Sequence, residues 1–179
     1  MTLKPGQLAP PFQTKDISGQ NISLADYSGK RLLLSFFRYA SWPFCRLRVL
    51  KLKEMQPTYE QKGLHIVAVF QSPEESITKD VMPIHPPFPV IADPEQKIYT
   101  LYEARSSWWG MIRSLGRFSL IKETFSAGLK PGKMEGTYSR LPSDFLIDED
   151  LKIAGAYYAT DITQHMPFEV IDGFLSSVE

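Results

Sequence analysis

One stretch of the chain, residues 31–48, constrains the fold most strongly. It begins with a continuous apolar run from Leu32 to Phe37, and such runs are typical of strands buried on both faces of a sheet. A short turn follows, and then Pro43, whose fixed φ suits the first turn of a helix. The stretch therefore predicts a buried strand that passes directly into a helix.

The predicted helix carries the only cysteine of the chain, Cys45, in its first turn. Unpaired backbone N–H groups and the helix dipole favour an anion at this end of a helix, so we expect the thiol to ionise more readily than an isolated one. Arg38 and Arg46 would add to this effect. The alternative is that Cys45 is a small apolar residue packed under the helix, since free cysteines are among the most buried residues.

Signals for strands and helices alternate along the rest of the chain, which predicts an α/β fold with a parallel central sheet. A short hairpin is expected within residues 12–23. Pro57 should kink or end the first helix near Gln56, because it removes a backbone donor. The predicted sheet strands are residues 32–37, 64–70, 88–92, 144–148 and 153–158, with helices on both faces and a last helix at 166–178.

Size and composition limit the classes of function. The 179 residues, 43% of them hydrophobic, suffice for one domain, and we expect a single domain over residues 1–179. A formal net charge of zero argues against a nucleic-acid partner. No stretch approaches the ~18 apolar residues of a membrane span or resembles a signal peptide, so we expect a cytoplasmic protein. Three scattered histidines and one cysteine lack the spacing of a metal site, and no cofactor is expected.

A family resemblance is carried by four segments and by their order along the chain. They are QLAPPFQTKDISGQNISLADYSGKRLLLSFF, FFRYASWPFCR, PFPVIADPEQKIYTLY and LPSDFLIDEDLKI. Together they are similar to the alkyl hydroperoxide reductase and thiol-specific antioxidant family of the thioredoxin superfamily, and especially to its peroxiredoxin-like branch. The resemblance covers most of the chain except about residues 104–138. It implies a thioredoxin-like fold with a central mixed sheet and helices on both faces.

The chemistry that the resemblance implies centres on Cys45. As in a one-cysteine peroxiredoxin, this thiol would react with a peroxide or a disulfide substrate, and an external thiol such as thioredoxin or glutathione would reduce it again. Arg38 and Arg140 are the implied candidates for stabilising the departing oxygen. The residues implied as substrate contacts are Trp42, Pro43, Phe44, Leu141 and Pro142.

The proline at the position of Pro142 is cis in the thioredoxin fold and faces the reactive cysteine, so the resemblance implies a cis bond between Leu141 and Pro142. The alternative is an ordinary trans proline at the start of a strand, where no ladder donor is needed.

Two departures from the family pattern leave a second interpretation open. Trp42 stands where the motif has a threonine or a first cysteine, and no second cysteine is present to form a disulfide with Cys45. The chain could instead be a redox-inactive binding module of thioredoxin fold, in which Trp42 fills the pocket and Cys45 is structural. An accessible sulfur near an arginine would favour chemistry, and a sulfur covered by Trp42 would favour the binding module.

The segment 104–138 is atypical of the family. Apolar residues recur at helical spacing from Trp108 to Phe125, and six Lys and Arg stand against two Asp and Glu, which predicts a basic amphipathic helix weakened by Gly110 and Gly116. We rank three roles for it in this order: packing on the core or on a second copy in a homodimer, a lid over the Cys45 pocket, and a membrane-surface helix. The loop GLKPGKMEG at its end is where a lid hinge is expected.

Overall fold

The apolar run of the sequence forms the middle strand of a five-stranded sheet in the computed structural model, which describes residues 2–109 and 118–176. A separate antiparallel hairpin of β1 (Gln13–Lys15) and β2 (Asn21–Ser23) precedes this sheet, as predicted. The sheet strands are β3 (Arg31–Phe36), β4 (Leu64–Phe70), β5 (Val90–Ala92), β6 (Ser143–Ile147) and β7 (Ile153–Tyr158).

The order of the strands is β5-β4-β3-β6-β7. β3 pairs parallel with β4 and antiparallel with β6, β4 pairs parallel with β5, and β6 pairs antiparallel with β7. Every residue from Leu32 to Phe36 is fully buried, as a strand covered on both faces requires. The mixed sheet that the resemblance implies is therefore confirmed, and each strand begins and ends within two residues of its predicted bounds. The parallel sheet expected from the alternation is wrong for β6 and β7, which pair antiparallel.

Helices cover both faces of the sheet, as predicted. One core contains Leu33, Phe37 and Cys45 together with residues of the first, second and last helices. The other core contains Leu34, Phe36 and Tyr99, the last of which belongs to the third helix. The helices are α1 (Pro43–Gln61), α2 (Glu74–Asp80), α3 (Lys97–Leu101), α4 (Phe118–Ser126) and α5 (Phe168–Ser176).

Two expectations about prolines, an end of α1 at Pro57 and a cis bond before Pro142, differ from the structure. Pro57 does not end α1 near Gln56, because the helix continues to Gln61 and its last turn holds the fully buried Tyr59. Tertiary packing of that turn outweighs the hydrogen bond that Pro57 removes. The prediction of a cis bond before Pro142 is also wrong, since no cis peptide occurs among the described residues. Pro142 directly precedes β6, where a trans proline interrupts no ladder hydrogen bond.

The atypical segment is described only in part. Its predicted helix positions Gly110, Met111, Ile112, Arg113, Leu115, Gly116 and Arg117 lie outside the described residues. The helix α4 confirms the prediction for the C-terminal part of the pattern. Trp108 and Trp109, just before the gap, are 67% and 73% exposed. Within the described ranges, no helix is both long enough and apolar enough to cross a membrane.

Candidate active site

Cys45 lies in the first turn of α1, directly after Pro43 and Phe44, as predicted. Its Sγ accepts a hydrogen bond from the backbone N–H of Arg38 at 3.4 Å. The side chain is only 1% exposed and packs in the core that lies between α1 and the sheet. The thiol therefore sits beneath the start of the helix, against the chain that leaves β3.

The electrostatics of this thiol differ from the prediction. Burial raises the pKa of Cys45 to about 12, and the carboxylate of Asp144 adds to the rise. The hydrogen bond from the Arg38 N–H and the charge of Arg38 lower the pKa, but their effect is smaller than that of burial. The expectation of a thiol that ionises more readily than an isolated one is wrong for this structure. The cost of removing a thiolate from water exceeds the stabilisation that the helix N-terminus supplies.

Arg38 is the cation of the site. Its side chain is 1% exposed, and its Cζ lies 4.6 Å from the ring centre of Trp42 and 5.2 Å from that of Tyr39. Nη2 donates to the carbonyl of Tyr138, whereas Nε and Nη1 are buried without a hydrogen-bond partner among the described residues. A buried guanidinium with two nitrogens unpaired among the described residues is suited to hold an anionic oxygen.

Arg140 has a different environment. Its Nη1 and Nη2 donate to the Ala104 carbonyl and to Oε1 of Gln96, and its Cζ lies 5.1 Å from the ring centre of Tyr99. The Tyr99 hydroxyl lies within hydrogen-bond distance of main-chain carbonyls at the C-terminal ends of β3 and β4. Of the two predicted arginines, Arg38 is the one that contacts the thiol, through its backbone N–H.

The structure brings some of the predicted substrate contacts together. Trp42 packs both on the core that holds the thiol and on a small cluster that contains Leu141. The ring of Phe44 lies 5.4 Å from that of Trp42, centre to centre, and Phe44 is only half-buried. Pro43 and Pro142 are buried. Trp42 thus packs beside the Cys45 turn, on the core that contains the thiol.

Residues 130–139, here named the strap, are anchored on both sides of Cys45. The anchors are side chains that flank the cysteine in the sequence, and the acceptors are carbonyls of the strap. Ser41 Oγ donates to the Lys133 carbonyl at 2.5 Å, Arg46 Nη1 donates to the Lys130 carbonyl at 3.5 Å, and Arg38 Nη2 donates to the Tyr138 carbonyl.

A second set of anchors lies after β4. Gln71 Nε2 donates to the carbonyls of Glu135 and Thr137 at 3.2 Å each, and Gln71 Oε1 accepts from the Thr137 N–H at 3.0 Å. Gly136, at a φ of 67°, lies so close that an added Cβ would be 2.6 Å from Cδ of Gln71. This geometry fits the lid interpretation of the atypical segment.

Comparison with known proteins identifies the family. The model of the AhpC/TSA family matches residues 5–156. The chain belongs to the AhpC/TSA family. The resemblance seen in the sequence is thereby confirmed, and the protein is a single-cysteine member of a family of peroxiredoxins and thiol-disulfide oxidoreductases.

Relatives of this AhpC/TSA protein include a candidate peroxiredoxin of Mycobacterium tuberculosis, which is 29% identical over 166 residues that cover 92% of this chain and 90% of the relative. A cysteine-to-serine mutant of Xylella fastidiosa PrxQ superposes with a TM-score of 0.73 at 14% identity, covering 100% of this chain and 99% of that one. A yeast mitochondrial 1-Cys peroxiredoxin superposes with a TM-score of 0.69 at 18% identity, covering 97% and 76%. These likenesses confirm the predicted thioredoxin-like, peroxiredoxin-like fold.

A buried polar cluster beside the thiol of the AhpC/TSA protein escaped the sequence analysis. The carboxylate of Asp144 accepts hydrogen bonds from Ser35 Oγ and from the Met166 N–H, and His165 Nδ1 lies 3.1 Å from both of its oxygens. Burial alone would raise the pKa of Asp144, but the charges of His165 and Arg48 and the hydrogen bonds hold it below its usual value. The missed signal was a charged residue inside an apolar strand, since a buried carboxylate needs partners.

Proposed function

We propose that this AhpC/TSA protein reduces peroxides through Cys45 and depends on an external thiol for each turnover. The observation that carries the proposal is the pairing of the only cysteine with the buried Arg38. The sulfur accepts a hydrogen bond from the Arg38 N–H at 3.4 Å, and Nε and Nη1 of the same residue are unpaired within the described part of the chain.

In the proposed reaction the Cys45 thiolate attacks one oxygen of a hydroperoxide. An S–O bond forms as the O–O bond breaks, the electron pair of that bond leaves on the alkoxide, and the alkoxide takes up a proton to give the alcohol. The free donors of Arg38 would stabilise the negative charge that develops on the departing oxygen.

The sulfenic acid that results must be reduced from outside, because no second cysteine is present in the chain. One external thiol displaces water and forms a mixed disulfide, and a second thiol releases Cys45 and leaves as the external disulfide. The yeast 1-Cys peroxiredoxin is described as resolved via glutathione/thioredoxin systems. We extend both reductants to this chain as candidates, and a cytoplasmic location would supply either of them.

Access to the thiol requires a movement, because Cys45 is 1% exposed. We propose that the strap is the lid that moves. Its contacts with the Cys45 turn are hydrogen bonds to carbonyls, and its apolar side chains Met134 and Tyr138 are 47% and 50% exposed. Water that enters on opening would reduce the desolvation that raises the pKa of Cys45.

The second candidate function is a redox-inactive binding module of the same fold. The burial of Cys45, its raised pKa and the packing of Trp42 on Arg38 favour this alternative. In that case the cysteine is a core residue, and the exposed face of the turn serves recognition.

Steady-state consumption of hydrogen peroxide and of an alkyl hydroperoxide, with glutathione or thioredoxin regenerated enzymatically, tests the proposal. Cys45→Ser should abolish turnover, and Arg38→Met should lower kcat/KM by about 10²–10³-fold, as the loss of a preorganised donor does. Arg31→Met is the control, because Arg31 pairs with Glu149 at 2.9 Å, away from the thiol. Peroxide consumption that survives Cys45→Ser, or its absence in the wild type with both reductants, would support the binding module instead.

A further inference from the structure

A concave site lies beside the first turns of α1; it shares Phe44 with the predicted substrate contacts but does not include Cys45. A cavity of about 230 Å³ opens between the first turns of this helix and residues 163–169. Its apolar walls are Phe44 and Leu47 on the helix side and Met166 and Phe168 on the other. Cavities with apolar walls and a few convergent polar groups are typical of small-molecule sites.

Arg48 supplies the first polar group. It is 8% exposed, its Nη2 donates to the Met166 carbonyl at 2.8 Å, and its Cζ lies 4.0 Å from the ring centre of Phe168. Its Nε is buried and has no hydrogen-bond partner in residues 2–109 and 118–176. The guanidinium of this lining residue is thus held in place, with Nε unpaired among the described residues.

His165 supplies the second polar group, and its side chain is 5% exposed. The carboxylate of Asp144 holds Nδ1 at 3.1 Å from both oxygens and so fixes the orientation of the ring. The other nitrogen, Nε2, is buried and unpaired among the described residues. An unsatisfied buried nitrogen is costly, and this one belongs to a residue that lines the cavity, which favours a ligand group that reaches it.

The charges of the remaining lining residues favour an anion. Lys51 stands at the mouth of the cavity, partly exposed, and its Nζ lies 2.7 Å from Oε1 of Glu123. Glu169 is the one acidic residue that lines the cavity in the described part of the chain, and it is exposed to solvent, where its charge is screened.

We infer that this cavity binds a small amphipathic carboxylate. Its hydrocarbon part would lie between Phe44 and Phe168. Its carboxylate would accept a hydrogen bond from Nε of Arg48, and a second one from Nε2 of His165 when both ring nitrogens carry protons. Arginine is well suited to this role, because its planar fork matches the geometry of a carboxylate. The site goes beyond the proposed function, since Cys45 is not part of the cavity wall and binding needs no redox step.

Titration of the full chain with hexanoate and phenylacetate tests the inference, with the neutral hexanamide and phenylacetamide as isosteric probes. Calorimetry gives the affinity, and amide chemical shifts locate the site. The acids should bind at least about tenfold more tightly than the amides, because a charge-assisted hydrogen bond is lost in the amides. The shifts should fall in residues 44–51 and 163–169.

Variants of the lining residues test whether the acids bind in this cavity. Arg48→Lys should weaken the binding of the acids but not of the amides. Lys51→Met should weaken the acids by about two- to fivefold, and Glu123→Gln, which frees Lys51, should strengthen them by a similar factor. Lys97→Met is the matched control, because Lys97 forms a comparable exposed ion pair, 2.6 Å from Glu95, away from the cavity.

Several results would overturn the inference: no binding of either acid at millimolar concentration, equal affinities for acids and amides, shifts outside the two segments, or equal effects of Lys51→Met and Lys97→Met. The Cys45→Ser variant should bind the acids like the wild type. A failure of peroxide turnover therefore leaves this test intact, and a failure of carboxylate binding leaves the proposed function intact.

Discussion

Replacing Gly136 with alanine should release the strap and expose Cys45. Gly136 has a φ of 67°, a left-handed conformation that costs a residue with a Cβ about 1–2 kcal/mol. The added Cβ would also lie 2.6 Å from Cδ and 2.8 Å from Oε1 of Gln71, so the clash falls on the anchor of the strap. Gly128 is the matched control, because it has a φ of 71° but nothing within 4 Å of an added Cβ.

The size of the effect follows from the contacts of Gln71. This side chain makes three hydrogen bonds to the strap, at 3.2, 3.2 and 3.0 Å. If each contributes about 0.5–1.5 kcal/mol net, their loss raises the open fraction of the strap by about tenfold to a thousandfold. Gly128→Ala strains the backbone equally but breaks none of these bonds, so it should leave the open fraction close to that of the wild type.

The assay is the rate of Cys45 alkylation by excess iodoacetamide at pH 8, followed by intact mass, with circular dichroism to verify that each variant is folded. The chain has one cysteine, so a single adduct reports on a single site. Gly136→Ala should react at least about tenfold faster than Gly128→Ala. Equal rates in the two folded variants would refute the view that the strap controls access to the thiol.

Three further predictions concern the residues around the thiol. Burial raises the pKa of Cys45 from 9.0 to about 12, so the folded state holds the thiol proton more tightly than the unfolded state. Above pH 9 the unfolding free energy of the wild type, measured by urea titration, should therefore fall by about 1.4 kcal/mol per pH unit more than that of Cys45→Ser. Parallel pH profiles of the two proteins would contradict this. Asp144→Asn should cost about 3–5 kcal/mol at neutral pH. Folding lowers the pKa of Asp144, so its contribution to stability is fully present above the ordinary carboxyl pKa. This contribution is lost as the pH falls through the folded-state pKa, and Asp144→Asn should lack that loss of stability in acid. Trp42→Thr should lower the unfolding free energy, measured in urea, by about 3–5 kcal/mol, because the packing of the indole ring is lost. The same variant should speed the oxidation of Cys45 by peroxide, because it restores the hydroxyl of the family motif. Slower oxidation in the folded variant would argue against this role of the hydroxyl.

The fold could be predicted because its signals are local. The uninterrupted apolar run of β3, Pro43 at the start of α1 and the short hairpin each follow from a few neighbouring residues. Pro57 shows the limit of such reasoning, since its effect on α1 depends on the burial of Tyr59, which only the tertiary structure sets.

The local position of Cys45 was predictable from the sequence, but the physical state of its thiol was not. The position of Cys45 in the first helical turn followed from the sequence, whereas its raised pKa comes from burial by residues far along the chain. The strap is likewise a long-range feature, because Gln71 and Gly136 meet only in the folded protein. Neither a homodimer nor a single domain is tested by the structure, and both stay predictions.

The central claim is that Cys45 is a peroxide-reactive thiol, and mass spectrometry after a single addition of peroxide tests it most directly. One equivalent of hydroperoxide should add one oxygen atom to the chain, and peptide mapping with a sulfenic-acid trap should place it on Cys45. Glutathione should then remove the oxygen and restore the original mass. A chain that gains no oxygen on Cys45, even in the Gly136→Ala variant, while its methionines oxidise instead, would contradict the account.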